Sequence, residues 1–118
     1  MRDKARVNKV TVQKIIKYCN DIQSLMTKFG GTKENYISEI AFRYACDMCI
    51  LQIGELTTHL SDEFKSEHSN IEWRAIKNLR NIHVHEYESV DYEEMWKILT
   101  KDISELKSQL EKIFSEMN

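Results

Sequence analysis

Apolar positions step by three to five along the start of the chain, through Val7, Val10, Ile15, Cys19, Ile22, Leu25 with its neighbour Met26, and Phe29. That period predicts a helix over residues 3–29. Gly30-Gly31 ends it, because glycine takes up the left-handed backbone that closes a helix at little cost. A second helix begins under a cap from Thr32, with Asn35 as a later alternative start, and runs to about residue 60. Its stripe is read through Ile37, Ile40, Ala41, Tyr44, Ala45, Met48, Leu51, Gln52 and Leu56. Gly54 lies inside it at a propensity cost of ~1 kcal/mol, for which a close approach of another helix is the expected compensation. Ser61-Asp62-Glu63 caps a short turn of helix through residue 67, and either Ser69 or Asn70 caps the next helix, which turns Ile71, Trp73, Ile76 and Leu79 inward. Glu88-Ser89-Val90 reads as a connection to Asp91, the N-cap of a last helix lined by Met95, Trp96, Ile98, Leu99, Ile103, Leu106, Leu110 and Ile113. The pattern contains no repeat and no candidate strand. It predicts an all-α fold, an antiparallel four-helix bundle with an additional short helix.

Composition agrees with that reading. Zero prolines, three glycines and 31% charged residues suit long helices with solvated faces, and 42% apolar residues exclude wholesale disorder. A length of 118 residues fits one domain over 1–118, large enough to fold without disulfides or a metal. The basic start Met1-Arg2-Asp3-Lys4-Ala5-Arg6 is followed by no apolar run, and no stretch approaches the ~20 apolar residues of a membrane span. A cytoplasmic protein without membrane contact is therefore expected. Cys19, Cys46 and Cys49 fall on apolar helix faces and are read as buried, reduced thiols. Cys46 and Cys49 have the two-residue gap of a zinc knuckle, yet they lie mid-helix without a second pair, so no metal and no cofactor is assigned. With a net charge of -2, the molecule lacks the basic footprint of a protein that grips long nucleic acid. Any RNA contact must be local. Arg74, Lys77 and Arg80 recur at three-residue spacing, either as a small phosphate-facing strip or as a solvated helix face.

Chemistry is concentrated between Leu79 and Tyr87, which hold Arg80, Asn81, His83, His85 and the Tyr87 phenol. An arginine can grip a phosphate bidentately, and an imidazole titrating near neutrality can take and return a proton. These are the groups a metal-free ribonuclease needs. If the α-helix continues through them, Asn81 and His85 share a face, while Arg80 and His85 stand ~140° apart around the axis. Either the helix frays before His85 or a second copy completes the site. His83 falls opposite Asn81 and His85, as a packed or solvent-facing residue or an auxiliary proton carrier. Taken by chemistry alone, such a cluster at a helix end also fits ordinary capping and surface roles. Glu55 can brace Arg80 or stand free on an exposed face, and His59 and His68 receive no role.

The order Arg80, four residues, His85, one residue, Tyr87 resembles the signature of the HEPN superfamily, and specifically of the HepT-like toxins that pair with MNT-type minimal nucleotidyltransferase antitoxins. Three further blocks carry the resemblance: Tyr44-Ala45 through Ile53-Gly54-Glu55, Ile71-Glu72-Trp73 with Ile76, and Val90-Asp91 with Met95-Trp96, Ile98 and Asp102-Ile103. Together they span about residues 36–110. Two features depart from the family pattern: His83 stands where a basic or apolar residue is usual, and the proline before the Trp segment is absent. The resemblance implies a HEPN-like bundle and a homodimer whose two motifs meet across a cleft. It implies RNA cleavage by the RNA's own 2′-hydroxyl without a metal, leaving a cyclic phosphate. His85 would then be the general base or acid, Arg80 would stabilise charge at phosphorus, and Asn81 would orient the phosphate or the imidazole. Tyr87 would be the hydroxyl that the partner nucleotidyltransferase adenylylates to silence the toxin. The alternative of a different class is a non-catalytic nucleotide- or substrate-binding subunit of a two-chain nucleotidyltransferase. A helical interaction module without nucleotide chemistry would make the motif accidental. RNA cutting by the pure chain separates the first reading from both others.

Overall fold

A computed structural model of the chain describes residues 3–85 and 91–117. Helix α1, Lys4–Phe29, starts under Asp3, whose carboxylate accepts from the Arg6 amide at 3.2 Å, and closes at Gly30 and Gly31 with φ of 92° and 56°. Thr32 caps α2, Lys33–Ser38, through the Asn35 amide. Asn35 is no alternative start: its side chain reaches back to the Phe29 carbonyl at 2.8 Å and ties the two helices together. The single helix expected to run to residue 60 is broken. Glu39 is extended, with φ -96° and ψ 101°, and α3 spans Ile40–Leu56 before a 3-10 turn, Thr57–His59. Ser61 caps α4, Asp62–Glu67, as its sequence predicts.

The next helix starts later and is shorter than expected, because neither Ser69 nor Asn70 caps it. Helix α5, Trp73–Lys77, begins after Glu72 without a side-chain cap, anchored instead by the Trp73 indole N–H, which is shared between the Lys65 and His68 carbonyls at 3.2 and 3.1 Å. It passes into a 3-10 stretch, Asn78–His85. Asp91 caps the last column as predicted, and α6, Tyr92–Lys97, a π segment, Ile98–Asp102, and α7, Ile103–Ser115, run on without a break. No strand occurs among the described residues, and no helix among them is long and apolar enough to cross a membrane.

Four helical columns result, formed by α1, α2–α3, α5 with its 3-10 extension, and α6–α7, with α4 as the additional short helix. The all-α, HEPN-like bundle is thus the observed architecture. Contacts fix the antiparallel order: Asn8 and Ser61 exchange two 3.0 Å hydrogen bonds between the start of α1 and the entry to α4. At α7, Lys107 reaches Gln23 while Lys9 lies over the Phe114 ring. Val12, Ile15, Cys19 and Ile22 of α1 close on Cys46, Ile50 and Ile53 of α3 and on Leu106 and Leu110 of α7.

Helix α3 corrects the sequence reading most sharply. Its core face is Phe42, Cys46, Cys49, Ile50 and Ile53, with Tyr36 of α2 alongside. Much of the stripe read along it faces outward instead, although Leu56 packs on the core: Ile40, Tyr44 and Met48 are 57%, 59% and 54% exposed, and Ile37 is exposed as well. Val10 of α1 is likewise exposed rather than buried. Period alone cannot choose a face on a helix that is apolar nearly all round.

Candidate active site

Arg80 owes its position to Gly54. A β-carbon on Gly54 would stand 2.7 Å from the Arg80 amide nitrogen and 3.1 Å from the Ile76 carbonyl oxygen, so only a glycine lets this backbone lie against α3. The expected close approach at Gly54 is present, and its partner is the motif itself. One residue on, Glu55 Oε2 lies 3.5 Å from Arg80 Nη1. Both side chains are substantially solvated, at 36% exposure for Arg80 and 52% for Glu55. At that distance the contact is an ion pair at the edge of hydrogen-bonding range, the kind that contributes little to stability. Glu55 therefore braces Arg80 loosely and leaves its donors within reach of an incoming anion. Asn81 is exposed beside it, as are Arg74 and Lys77 on the preceding turn.

The backbone through the motif is 3-10 rather than α. Three residues complete a turn, so position 83 stacks on position 80, and the face expected to join positions 81 and 85 is lost. Positions 80 and 85 remain ~120° apart around such an axis. The reason is local and tertiary together: β-branched Ile82 and Val84 are weak helix formers, and the tight seat on Gly54 fixes the backbone before them. For His83 and His85 it is this backbone that is defined. Tyr87, the expected modification site, lies outside the described residues, as does the connection at 88–90.

The three cysteines are buried, as the sequence suggests. Cys19, Cys46 and Cys49 are buried free thiols, and burial pushes them up to about 12, 12 and 11, far from a thiolate at neutral pH. Among the described residues no group of three or more His, Cys, Asp or Glu could hold a metal ion. His59 lies in the 3-10 turn after α3, and His68 packs its ring on Phe64 at 4.6 Å. One feature escaped the sequence reading: Asp47 is buried on α3 and accepts a 2.6 Å hydrogen bond from the Tyr36 hydroxyl. Burial first, and then this bond, raise the Tyr36 phenol above its ordinary range. The signal was available, since a carboxylate inside the apolar run Ala45-Cys46-Asp47-Met48-Cys49 requires a buried partner.

Comparison with known proteins identifies the family of the chain as a whole. The family model described as ribonuclease HepT-like matches residues 15–113. A provisionally named RNase of Methanocaldococcus jannaschii is 32% identical over 76 residues, covering 64% of this chain and 70% of its own. A second provisionally named RNase, from Caldanaerobacter subterraneus, is 30% identical over 87 residues, covering 74% and 78%. A provisionally named ribonuclease HepT of Thermococcus cleftensis is 30% identical over 80 residues, covering 68% and 73%. No solved structure matches the chain.

Proposed function

The chain belongs to the HepT-like ribonuclease family, and we propose that it is a metal-independent endoribonuclease, the toxin of a HEPN/MNT toxin-antitoxin pair acting in the cytoplasm. The observation that carries the reading is Arg80: its backbone lies directly against Gly54, while its side chain is partly exposed and meets Glu55 at 3.5 Å. A seated backbone with a loosely paired head suits a phosphate-gripping arginine.

In this scheme an RNA 2′-hydroxyl loses its proton to an imidazole, and its oxygen attacks the adjacent phosphorus. The bond from phosphorus to the 5′-oxygen breaks as the oxygen takes up a proton. A 2′,3′-cyclic phosphate and a free 5′-hydroxyl are left, with no net gain or loss of water. His85 is the proposed acid and base, with His83 as auxiliary, and Asn81 orients the phosphate or the imidazole. Arg80 stabilises the charge that builds on phosphorus. Two copies pair so that their motifs complete one cleft. Silencing follows when the partner nucleotidyltransferase transfers AMP from ATP to the Tyr87 oxygen, releasing pyrophosphate. The added phosphate and base then obstruct the cleft and repel RNA.

The test is cleavage of a structured RNA pool by the purified chain in excess EDTA. Cutting is expected to persist, to fall about 100- to 1000-fold in Arg80→Ala, and to fall comparably in His85→Ala. Cutting that vanishes with the chelator and returns with a divalent ion defeats the mechanism. RNA binding without cutting by the parent would favour the non-catalytic subunit.

A further inference from the structure

We infer that the groove between the first half of α1 and the turn after α3 holds a flanking nucleotide of the RNA strand that Arg80 grips. Lys14 and Arg6 take its phosphate, and Val7, Val10 and His59 lie under its sugar and base. The groove measures about 420 Å³, and those five residues line it together with Thr11 and Asp3. Positions 7, 10, 11 and 14 recur at three- and four-residue spacing, so one face of α1 builds one wall. This names where the substrate of the proposed ribonuclease continues beyond the motif, and it rests on that reading.

Three observations fit the groove to a nucleotide. Its cations are uncommitted: Lys4 and Lys17 of the same helix pair with Glu63 and Asp21, whereas Arg6 and Lys14 are exposed and join no ion pair among the described residues. The one carboxylate of the lining, Asp3, is turned to the Arg6 amide as the helix cap. A polar group also stands ready at the wall. Thr11 is 5% exposed, and its hydroxyl makes no hydrogen bond among the described residues. No side-chain oxygen sealed from solvent goes unpartnered there, so the exposed remnant of Thr11 includes its hydroxyl, which can donate to a phosphate oxygen. Lastly, the floor is apolar, with Val10 42% exposed beside half-buried Val7. A bare anion gains nothing from such a floor, whereas a ribose or base does. The exposed His59 imidazole is a ring of the kind on which unpaired bases stack.

Charge confines the phosphate to this groove. Beyond Val7 and His59, a hollow of about 350 Å³ is lined by Asp62, Glu63 and the Lys4 that pairs with Glu63. The groove between α5 and the last column is rimmed by Glu72, Glu94, Asp102 and Glu105. Like charge turns a phosphate away from both. Position favours a strand over a free nucleotide. His59 ends the 3-10 turn that continues α3, one turn on from Glu55, and the Thr58 hydroxyl between them donates to the Glu55 carbonyl at 2.7 Å. Glu55 in turn meets Arg80. A strand crossing the exit of α3 therefore passes from Arg80 to the groove. A chain of net charge -2 then holds RNA by local cations at two points, without a basic surface.

The experiment measures, by fluorescence anisotropy, binding of the full chain in EDTA to a labelled RNA of about ten nucleotides. The RNA is 2′-O-methylated throughout, so it lacks the attacking hydroxyl and reports binding alone. Lys14→Glu should weaken binding about tenfold and make the salt dependence shallower by about 0.7 in slope. Thr11→Val keeps the side chain's shape and should weaken binding about fivefold with an unchanged circular dichroism spectrum. Lys101→Glu makes the same change of net charge on the exposed π segment and should bind within about twofold of the parent. AMP should compete about 100-fold more weakly than the RNA. A parent that does not bind overturns the inference, as do parental binding by Lys14→Glu, equal losses in Lys14→Glu and Lys101→Glu, or AMP competing as tightly as the RNA. Should Thr11→Val lose its fold, Lys14→Glu, at an exposed position, decides. Cutting of unmodified RNA judges the enzyme apart. Groove-dependent binding without cutting leaves an RNA-binding groove standing and removes the ribonuclease, while cutting with binding indifferent to Lys14→Glu does the reverse.

Discussion

Asp47 and Glu55 stand about two turns apart on α3, and each pairs with a side chain from a neighbouring element in an opposite manner. Asp47 is buried and receives the Tyr36 hydroxyl at 2.6 Å, among the rings of Phe42 and Trp96. Glu55 is exposed and meets Arg80 at 3.5 Å in partial solvent. Burial makes the first contact costly to lose, because a carboxylate out of water depends on its donors. Solvent makes the second cheap to exchange, because water can replace either partner. One helix thus carries a fixed pair at its middle and a tradable pair at its exit, and only the tradable one can give up its cation to a phosphate.

The largest break in this contrast should come from Gly54→Val. The new β-carbon meets backbone atoms of Arg80 and Ile76 rather than the flexible end of a side chain. Urea denaturation should show a loss of about 3 kcal/mol, and RNA cutting should fail even where the variant remains folded. A variant of parental stability would mean that the motif backbone is not seated on α3. Next comes Tyr36→Phe, which removes a donor from a buried carboxylate and should cost about 2 kcal/mol without changing RNA cutting per folded molecule. A cost too small to detect by denaturation would show that Asp47 does not depend on this hydroxyl. The smallest effect is expected for Glu55→Gln, with stability changed by less than about 0.5 kcal/mol. RNA should bind the same or a few-fold tighter, since Arg80 no longer shares its charge with a carboxylate. Abolished RNA binding in Glu55→Gln would show that the brace positions Arg80 and is not merely exchanged.

How much of this was legible in the sequence depended on how local the cause was. Thr32, Ser61 and Asp91 cap helices as read, since a cap needs only a short polar side chain and the amide three residues on. Gly54 announced a close approach, though not that Arg80 was the visitor. What escaped notice depended on other elements. The exposed face of α3 and its core face are both apolar, so periodicity does not separate them, and the break at Glu39 has no glycine or proline to announce it. The 3-10 path of the motif was also hidden, because it follows from contact with a helix some twenty-five residues upstream. The candidate site was therefore readable as a set of residue types at a spacing, while its three-dimensional phase was not.

The π segment in the last column shows what a change of phase can do. At Ile98–Asp102 the Ile103 amide reaches back five residues to the Ile98 carbonyl, and the hydroxyls of Thr100 and Ser104 cover the Trp96 and Thr100 carbonyls at 2.8 and 3.0 Å. One wide turn re-aims everything beyond it, so a single rod serves two clients. Its first half offers Tyr92 and Trp96 to the Tyr36 ring, and its second offers Leu106 and Leu110 to α1. The wide turn works like a crankshaft, coupling the packing behind the buried Asp47 pair to the packing of the longest helix. A lineage that lost one residue here would have to choose which client to keep.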